Sequence, residues 1–328
     1  MNKLPKNIFK LLSIFVLATL LVFFLANLSN VRDLYRAATF TPSAELAAVE
    51  SSLGLTPYGR RIFRASTPTL TSDHSAFESV CYSDTDPREA SILGCYIDDQ
   101  IYLYSVDSAE LPGLEESTSA HELLHAVYAC LSSSEKSELT PLLESLLATS
   151  SDAFRDSLAS YPEDQRLEET YVRSATQIRS LPDRLEAHFA KIFTDQDAIV
   201  AFYDSYIAPL TATKNTLKSL ETELSTLRTA LTSDLADFDS RSAALESAVA
   251  DFNSCASTPG CFTSRSAFDS RRAELLAEQS ALSALADFLN NRIATYNTKV
   301  DLYNSNVLRG ETLNSLLNPN LKTTNLTE

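Results

Sequence analysis

A chain of 328 residues has room for one catalytic-sized domain and an extension. Only six glycines and no tryptophan, set among many Ala, Leu, Ser, Glu and Asp residues, point to a mainly helical protein. A formal net charge of −16 argues against nucleic-acid binding and against a charge-driven contact with lipid.

Lys3, Lys6 and Lys10 precede an apolar run from Leu11 to Leu28, interrupted only by Ser13, Thr19 and Asn27. Such a run is long enough to cross a bilayer core as a helix. Arg32 and Arg36 follow with Asp33 between them, so the positive-inside rule leans toward a cytoplasmic N-terminus and an exported body. A cleaved signal peptide is the competing reading. Ala26-Asn27-Leu28 is a poor small-x-small cleavage site, which favours an uncleaved anchor over residues 1–30.

Val31 to Thr41 reads as a juxtamembrane linker. Pro42 to Val49 opens a small helix that ends at Gly54, and Thr56-Pro57 starts another that carries Ile62 and Phe63 inward. Arg60, Arg61 and Arg64 form a basic spot whose simplest use is pairing with nearby carboxylates. Short strands are expected at Phe77 to Cys81 and Ile92 to Tyr96. A longer one is expected at Gln100 to Val106, after a turn at Asp98-Asp99.

Cys81 and Cys95 flank a polar loop, and Cys255 and Cys261 bracket Ala-Ser-Thr-Pro-Gly. Both pairs are close enough to staple a local loop, which suits an oxidising compartment. A second metal site is the alternative for Cys255 and Cys261, but no histidine or further cysteine lies nearby. Cys130 is left over and is expected to pack as a small hydrophobe beside Val127.

Ser119-Ala120-His121-Glu122-Leu123-Leu124-His125-Ala126-Val127-Tyr128 contains His-Glu-x-x-His. Positions i and i+4 share one helix face, so His121 and His125 can converge on one metal ion, with Glu122 placed to take a proton from water. Two imidazoles suit Zn²⁺, which needs a third protein ligand and keeps a position open in a catalytic site. Ser117, Thr118 and Ser119 are available as caps, and Leu123, Leu124, Val127 and Leu131 form a buried stripe. Two structural histidines are the competing reading.

At these residues the chain resembles the zincin metallopeptidases. No third histidine follows closely, which leaves the gluzincin branch, whose third ligand is a glutamate on a later helix. The chain is also similar to membrane-anchored bacterial proteins with a Leu-Gly-Cys-Tyr segment ahead of the motif, here Leu93 to Tyr96. The resemblance implies a zincin-like domain over residues 31–207 and a small sheet whose edge strand pairs with an extended peptide substrate. The ligand pattern Asn-Glu-x-x-Ser/Ala can be laid over Glu168 to Val172 with Glu169 as ligand, although the Asn and the small residue are missing. A helical wheel disagrees mildly, since Glu168 borders the Leu167/Tyr171 face, so Glu169 is taken as the third ligand with Glu168 as the alternative. Glu186 and His188 are further candidates, and Tyr128, Tyr161 and Tyr171 are available to stabilise an oxyanion.

Beyond the motif, helices are expected from Ser134 to Ala148, from Ser151, from Tyr161 to Ser180 with Leu167, Tyr171, Ser174 and Ile178 inward, and from Pro182. At Pro209 the pattern changes to three- and four-residue apolar steps, through Leu217, Leu220, Leu224, Leu227, Leu231, Leu235, Leu245 and Val249. It resumes after Cys261 with Phe268, Leu275, Leu282, Leu289, Ile293, Tyr296 and Val300. Two arms of about 44 residues, roughly 65 Å each at ~1.5 Å per residue, read as an antiparallel coiled-coil hairpin over residues 208–309. Gly310 is expected to end it, with a polar tail over 310–328. The expected protein is thus mainly α (α+β): a transmembrane helix, a zincin-like helical domain with a small sheet, and the hairpin. Its expected activity is zinc-dependent peptide hydrolysis outside the cytoplasmic membrane. The rival is an envelope-associated interaction protein whose hairpin binds a protein partner and whose zinc site is structural or vestigial.

Overall fold

Local capping chemistry starts most of the helices. The computed structural model describes residues 28–81, 93–106, 108–159 and 161–317, with Phe15, Val16 and Thr19 ahead of them. Most of the Leu11 to Leu28 run and the tail from Asn318 therefore lie outside the described residues. Among the described residues no helix is long and apolar enough to cross a membrane.

α1 (Leu28–Thr39) occupies the stretch expected to be a linker. It is tied to the body: Arg32 Nη2 lies 2.7 Å from Asp99 Oδ2 and the helix packs on α3. α2 (Ala44–Ser52) begins where Ser43 accepts a bond from the Leu46 amide, and α3 (Pro57–Ala65) where Thr56 accepts one from Gly59. Ile62 and Phe63 point inward. Glu50 is only 4% exposed, and Arg64 Nε at 2.9 Å and Arg60 Nε at 3.2 Å satisfy its carboxylate. Two arginines of the basic spot are therefore structural, while Arg61 lies over the Tyr58 ring.

The sheet has the order β1-β3-β2, formed by β1 (Thr69–Thr71), β2 (Gly94–Ile97) and β3 (Gln100–Tyr104). β1 runs parallel to β3 and β2 antiparallel to it, with Cys95 opposite Tyr102. Asp98 and Asp99 make the turn, both with positive φ, as a two-residue hairpin requires. β1 was not expected. The strand expected at Phe77 to Cys81 is instead the helix α4 (His74–Cys81). Asp73 caps it through the Ala76 amide, and the buried pair Phe77 and Cys81 repeats at a helical step of four.

α5 (Leu114–Cys130) carries the motif and starts before the serines and threonine expected to cap it. Gly113, at φ 83, occupies the cap position, where an added Cβ would stand 2.9 Å from the Phe202 carbonyl oxygen. Close approach of another chain segment decides this start. α6 (Ser133–Thr149) opens with a capping box between Ser132 and Glu135. α7 (Asp152–Ala159), α8 (Glu163–Gln177) and α9 (Asp183–Phe189) follow. α5 and α8 cross the main core, whose fully buried side chains include Phe63, Ile101, Leu123, Leu124, Tyr171 and Phe189.

α10 (Gln196–Ala256) is helical through Pro209, and α11 (Arg265–Leu317) continues past Gly310. Gly310 does not end the arm: it sits within the helix, and a Cβ there would make only an ordinary 3.6 Å contact with Thr213. The chain divides into two compact units, Met1–Pro209 with Leu313–Glu328, and Leu210–Thr312. The second unit is a long antiparallel helical hairpin. Arg241 pairs with Glu278 at 2.9 Å and Arg292 pairs with Asp234, while Leu220, Leu231, Leu282 and Leu289 are buried along the seam. Leu235, Val249 and Ile293 are exposed, because a strict 3.5-residue reading drifts off the seam of a 3.6-residue helix.

Both expected disulfides are present, Cys81–Cys95 tying α4 to β2 and Cys255–Cys261 closing the hairpin tip. Cys130 is free and, contrary to expectation, exposed at the end of α5, where it lines a cavity of about 240 Å³ with Tyr58, Arg61 and Tyr96. Mass mapping without reductant is expected to recover both disulfides and to find alkylation at Cys130 alone. Five alkylated thiols would place the body in a reducing compartment.

Candidate metal centre

The site lies where α5 crosses α8. His121 and His125 are one turn apart on α5, and their Nε2 atoms are 3.3 Å apart. Glu169 on α8 places Oε1 3.4 Å from His125 Nε2 and Oε2 4.0 Å from His121 Nε2. One ligand atom from each of the three lies within 4.8 Å of the others, so the cluster could hold a metal ion. Tetrahedral ligands at ~2.0–2.1 Å from a zinc ion stand about 3.3–3.4 Å from one another. Two of the three separations already match that edge, and two imidazoles with one carboxylate are a fitting donor set.

Glu168 takes a different position. Its Oε1 is 2.8 Å from His125 Nδ1, the ring nitrogen turned away from the cluster. That is the arrangement in which a carboxylate fixes the tautomer and orientation of a ligating histidine. Arg173 bonds to Glu169 Oε2 through Nε at 3.2 Å and donates from Nη2 to the Tyr161 hydroxyl at 2.9 Å. Neither role was anticipated from the sequence, although the Glu169/Arg173 spacing of four is a readable ion-pair signal.

The wheel favoured Glu168, yet Glu169 is buried and Glu168 is about one-third exposed. Glu169 to Thr176 are buried apart from the half-buried Arg173, because α5, α6 and α7 all pack on α8. A helix enclosed on several sides has no single inward face for a wheel to find. Glu186 is exposed on α9, and His188 is bonded to the Tyr171 hydroxyl at 3.0 Å. Tyr171 is fully buried among Tyr128 and Phe189, and Tyr128 lies under Lys136. Of the three tyrosines considered, Tyr161 is the one linked to the cluster, through Arg173.

Burial and the neighbouring His125 pull the His121 imidazole down to about 3, so it is neutral. Burial also opposes charge on His125, but its bonds to Glu168 and Glu169 and the nearby Glu122 outweigh it and push it up to about 10. Burial works to raise the Glu169 pKa too. The bond to His125 and the charges of His121, His125 and Arg173 overcome that and hold the carboxyl well below the usual range. A metal held here would have to compete with a proton for His125, so its binding would weaken as pH falls.

Glu122 is buried on the side of α5 that faces β2, 5% exposed. Gly94 makes room for it. A Cβ at Gly94 would stand 2.8 Å from Glu122 Cγ, 3.0 Å from its Oε1 and 2.7 Å from Thr118 Cγ2. The glycine of the Leu-Gly-Cys-Tyr segment is thus required by the motif glutamate.

No family model, curated protein or solved structure matches the chain.

Proposed function

We propose that the protein is a zinc-dependent metallopeptidase of gluzincin type, anchored by Leu11 to Leu28 with its body outside the cytoplasmic membrane. The observation that carries this reading is the convergence of His121, His125 and Glu169, with Glu122 beside them and outside the ligand set. Zinc is the metal of choice for two imidazoles and a carboxylate, and when bound it supplies the Lewis acidity that activates water and polarises a carbonyl.

The chain's residues have separate tasks. Glu122 takes a proton from the attacking water and returns it to the leaving amine. Glu168 holds the His125 ring, and Arg173 holds the Glu169 carboxylate. Tyr161, linked to Arg173, is the candidate donor to the oxyanion. β2, at the sheet edge with Gly94 against Glu122, takes an extended peptide substrate.

The rival is an envelope-associated interaction protein with the hairpin as partner surface and a structural zinc. A structural site closes four protein ligands around the ion, whereas the cluster brings three together among the described residues. The test is a zinc-loaded full-length chain incubated with a mixed peptide pool and read by mass spectrometry. Cleavage that stops on chelation and returns with zinc is expected, and an unchanged pool would remove the enzyme reading.

Gly94→Ala gives a finer check. It is expected to keep the metal and to lower kcat/KM about 10²-fold, the cost of misplacing a catalytic group by ~1 Å. Loss of metal together with activity would mean that the whole helix has moved.

A further inference from the structure

α1 presents an apolar stripe that the described residues leave about half exposed or more. Val31 is 45% exposed, Leu34 54% and Tyr35 69%, with Ala38 exposed beside them. At ~100° per residue the four fall within a stripe about 100° wide. The rest of the helix is committed to the body: α1 packs on α3, and Arg32 is bonded to Asp99. Single exposed apolar side chains are ordinary, but a continuous stripe along one short helix marks a contact surface.

The preceding chain indicates what lies against it. The apolar run ends at Leu28, the first residue of α1, so no spacer separates the two. At ~1.5 Å per residue, Val31, Leu34 and Tyr35 lie within roughly 5–11 Å of Leu28 along the helix. The headgroup region on each side of a bilayer core is about 5–8 Å deep, so a helix that continues the run places Val31 within it and Leu34 and Tyr35 at its water-side edge. Tyrosine is favoured there, and Arg32 at the edge of the stripe can keep its charge in water. Charge is not the driving force, because a chain of net charge −16 is repelled by anionic lipid.

We propose that the stripe of Val31, Leu34 and Tyr35 lies in the bilayer interface and sets how the body is held on the membrane. This rests on reading Leu11 to Leu28 as an uncleaved anchor. The test uses the full chain carrying Cys130→Ser, with a single bimane-labelled cysteine from Tyr35→Cys or, separately, Leu34→Cys, in phosphatidylcholine vesicles. Nitroxide-bearing lipid is expected to quench both labels several-fold more than aqueous iodide does, with or without added phosphatidylglycerol. Iodide quenching equal to that of free dye would overturn the inference. Shielding from both quenchers would also overturn it, since protein would then cover the stripe. Lipid quenching that depends on phosphatidylglycerol would overturn the apolar basis of the contact. A chain that does not float with the vesicles overturns the anchor as well, whereas an inserted chain with iodide-accessible labels overturns this inference alone.

Discussion

Glu122→Gln is expected to keep the full metal content and to cut peptide hydrolysis by about 10²–10⁴-fold, the range general acid–base catalysis supplies. Glutamine has the shape of glutamate but cannot carry the proton between water and the leaving amine. Glu122 stands outside the His121, His125 and Glu169 cluster, so the metal should be indifferent to the change. Gln also fits the space that Gly94 leaves and adds no charge at this buried position. Zinc analysis and kcat/KM on the same preparation check this. Unchanged turnover would remove Glu122 from the chemistry, and lost metal would make it part of the site's framework.

Glu169→Ala is expected to abolish metal binding at concentrations that saturate the parent, because two imidazoles alone hold zinc weakly and a catalytic site ordinarily needs three protein ligands. Glu168→Ala should be milder. It removes only the bond to His125 Nδ1, and losing such a supporting carboxylate costs about 10–100-fold in affinity. Alanine at 169 also leaves Arg173 without its carboxylate, so Glu169→Gln serves as a second variant that spares the packing and should still lose the metal. Zinc titration of the three variants orders them. A larger loss from Glu168→Ala than from Glu169→Ala would reverse the two roles.

What could be read in advance depended on how local its cause was. Ser43 and Thr56 cap their helices through amides three residues away, and Asp98-Asp99 turns the chain within two residues. The spacing of His121 and His125 places them together by helix geometry alone. The ligand pattern pointed to Glu169 and the wheel to Glu168; the wheel missed because several helices enclose α8 and burial no longer follows one stripe. The start of α5 at Gly113 depends on Phe202, far along the chain. The roles of Arg173 and Gly94 escaped notice for a related reason, although Gly94 stands in the Leu-Gly-Cys-Tyr segment. One acts on a ligand, and the other acts by the side chain it lacks.

The most direct measurement is the zinc content of the purified full-length chain beside His121→Ala/His125→Ala. The account predicts one zinc per chain in the parent, removed by a chelator and restored on adding zinc, and none in the double variant. A parent that takes up no zinc from excess, or a double variant that holds as much as the parent, would contradict it.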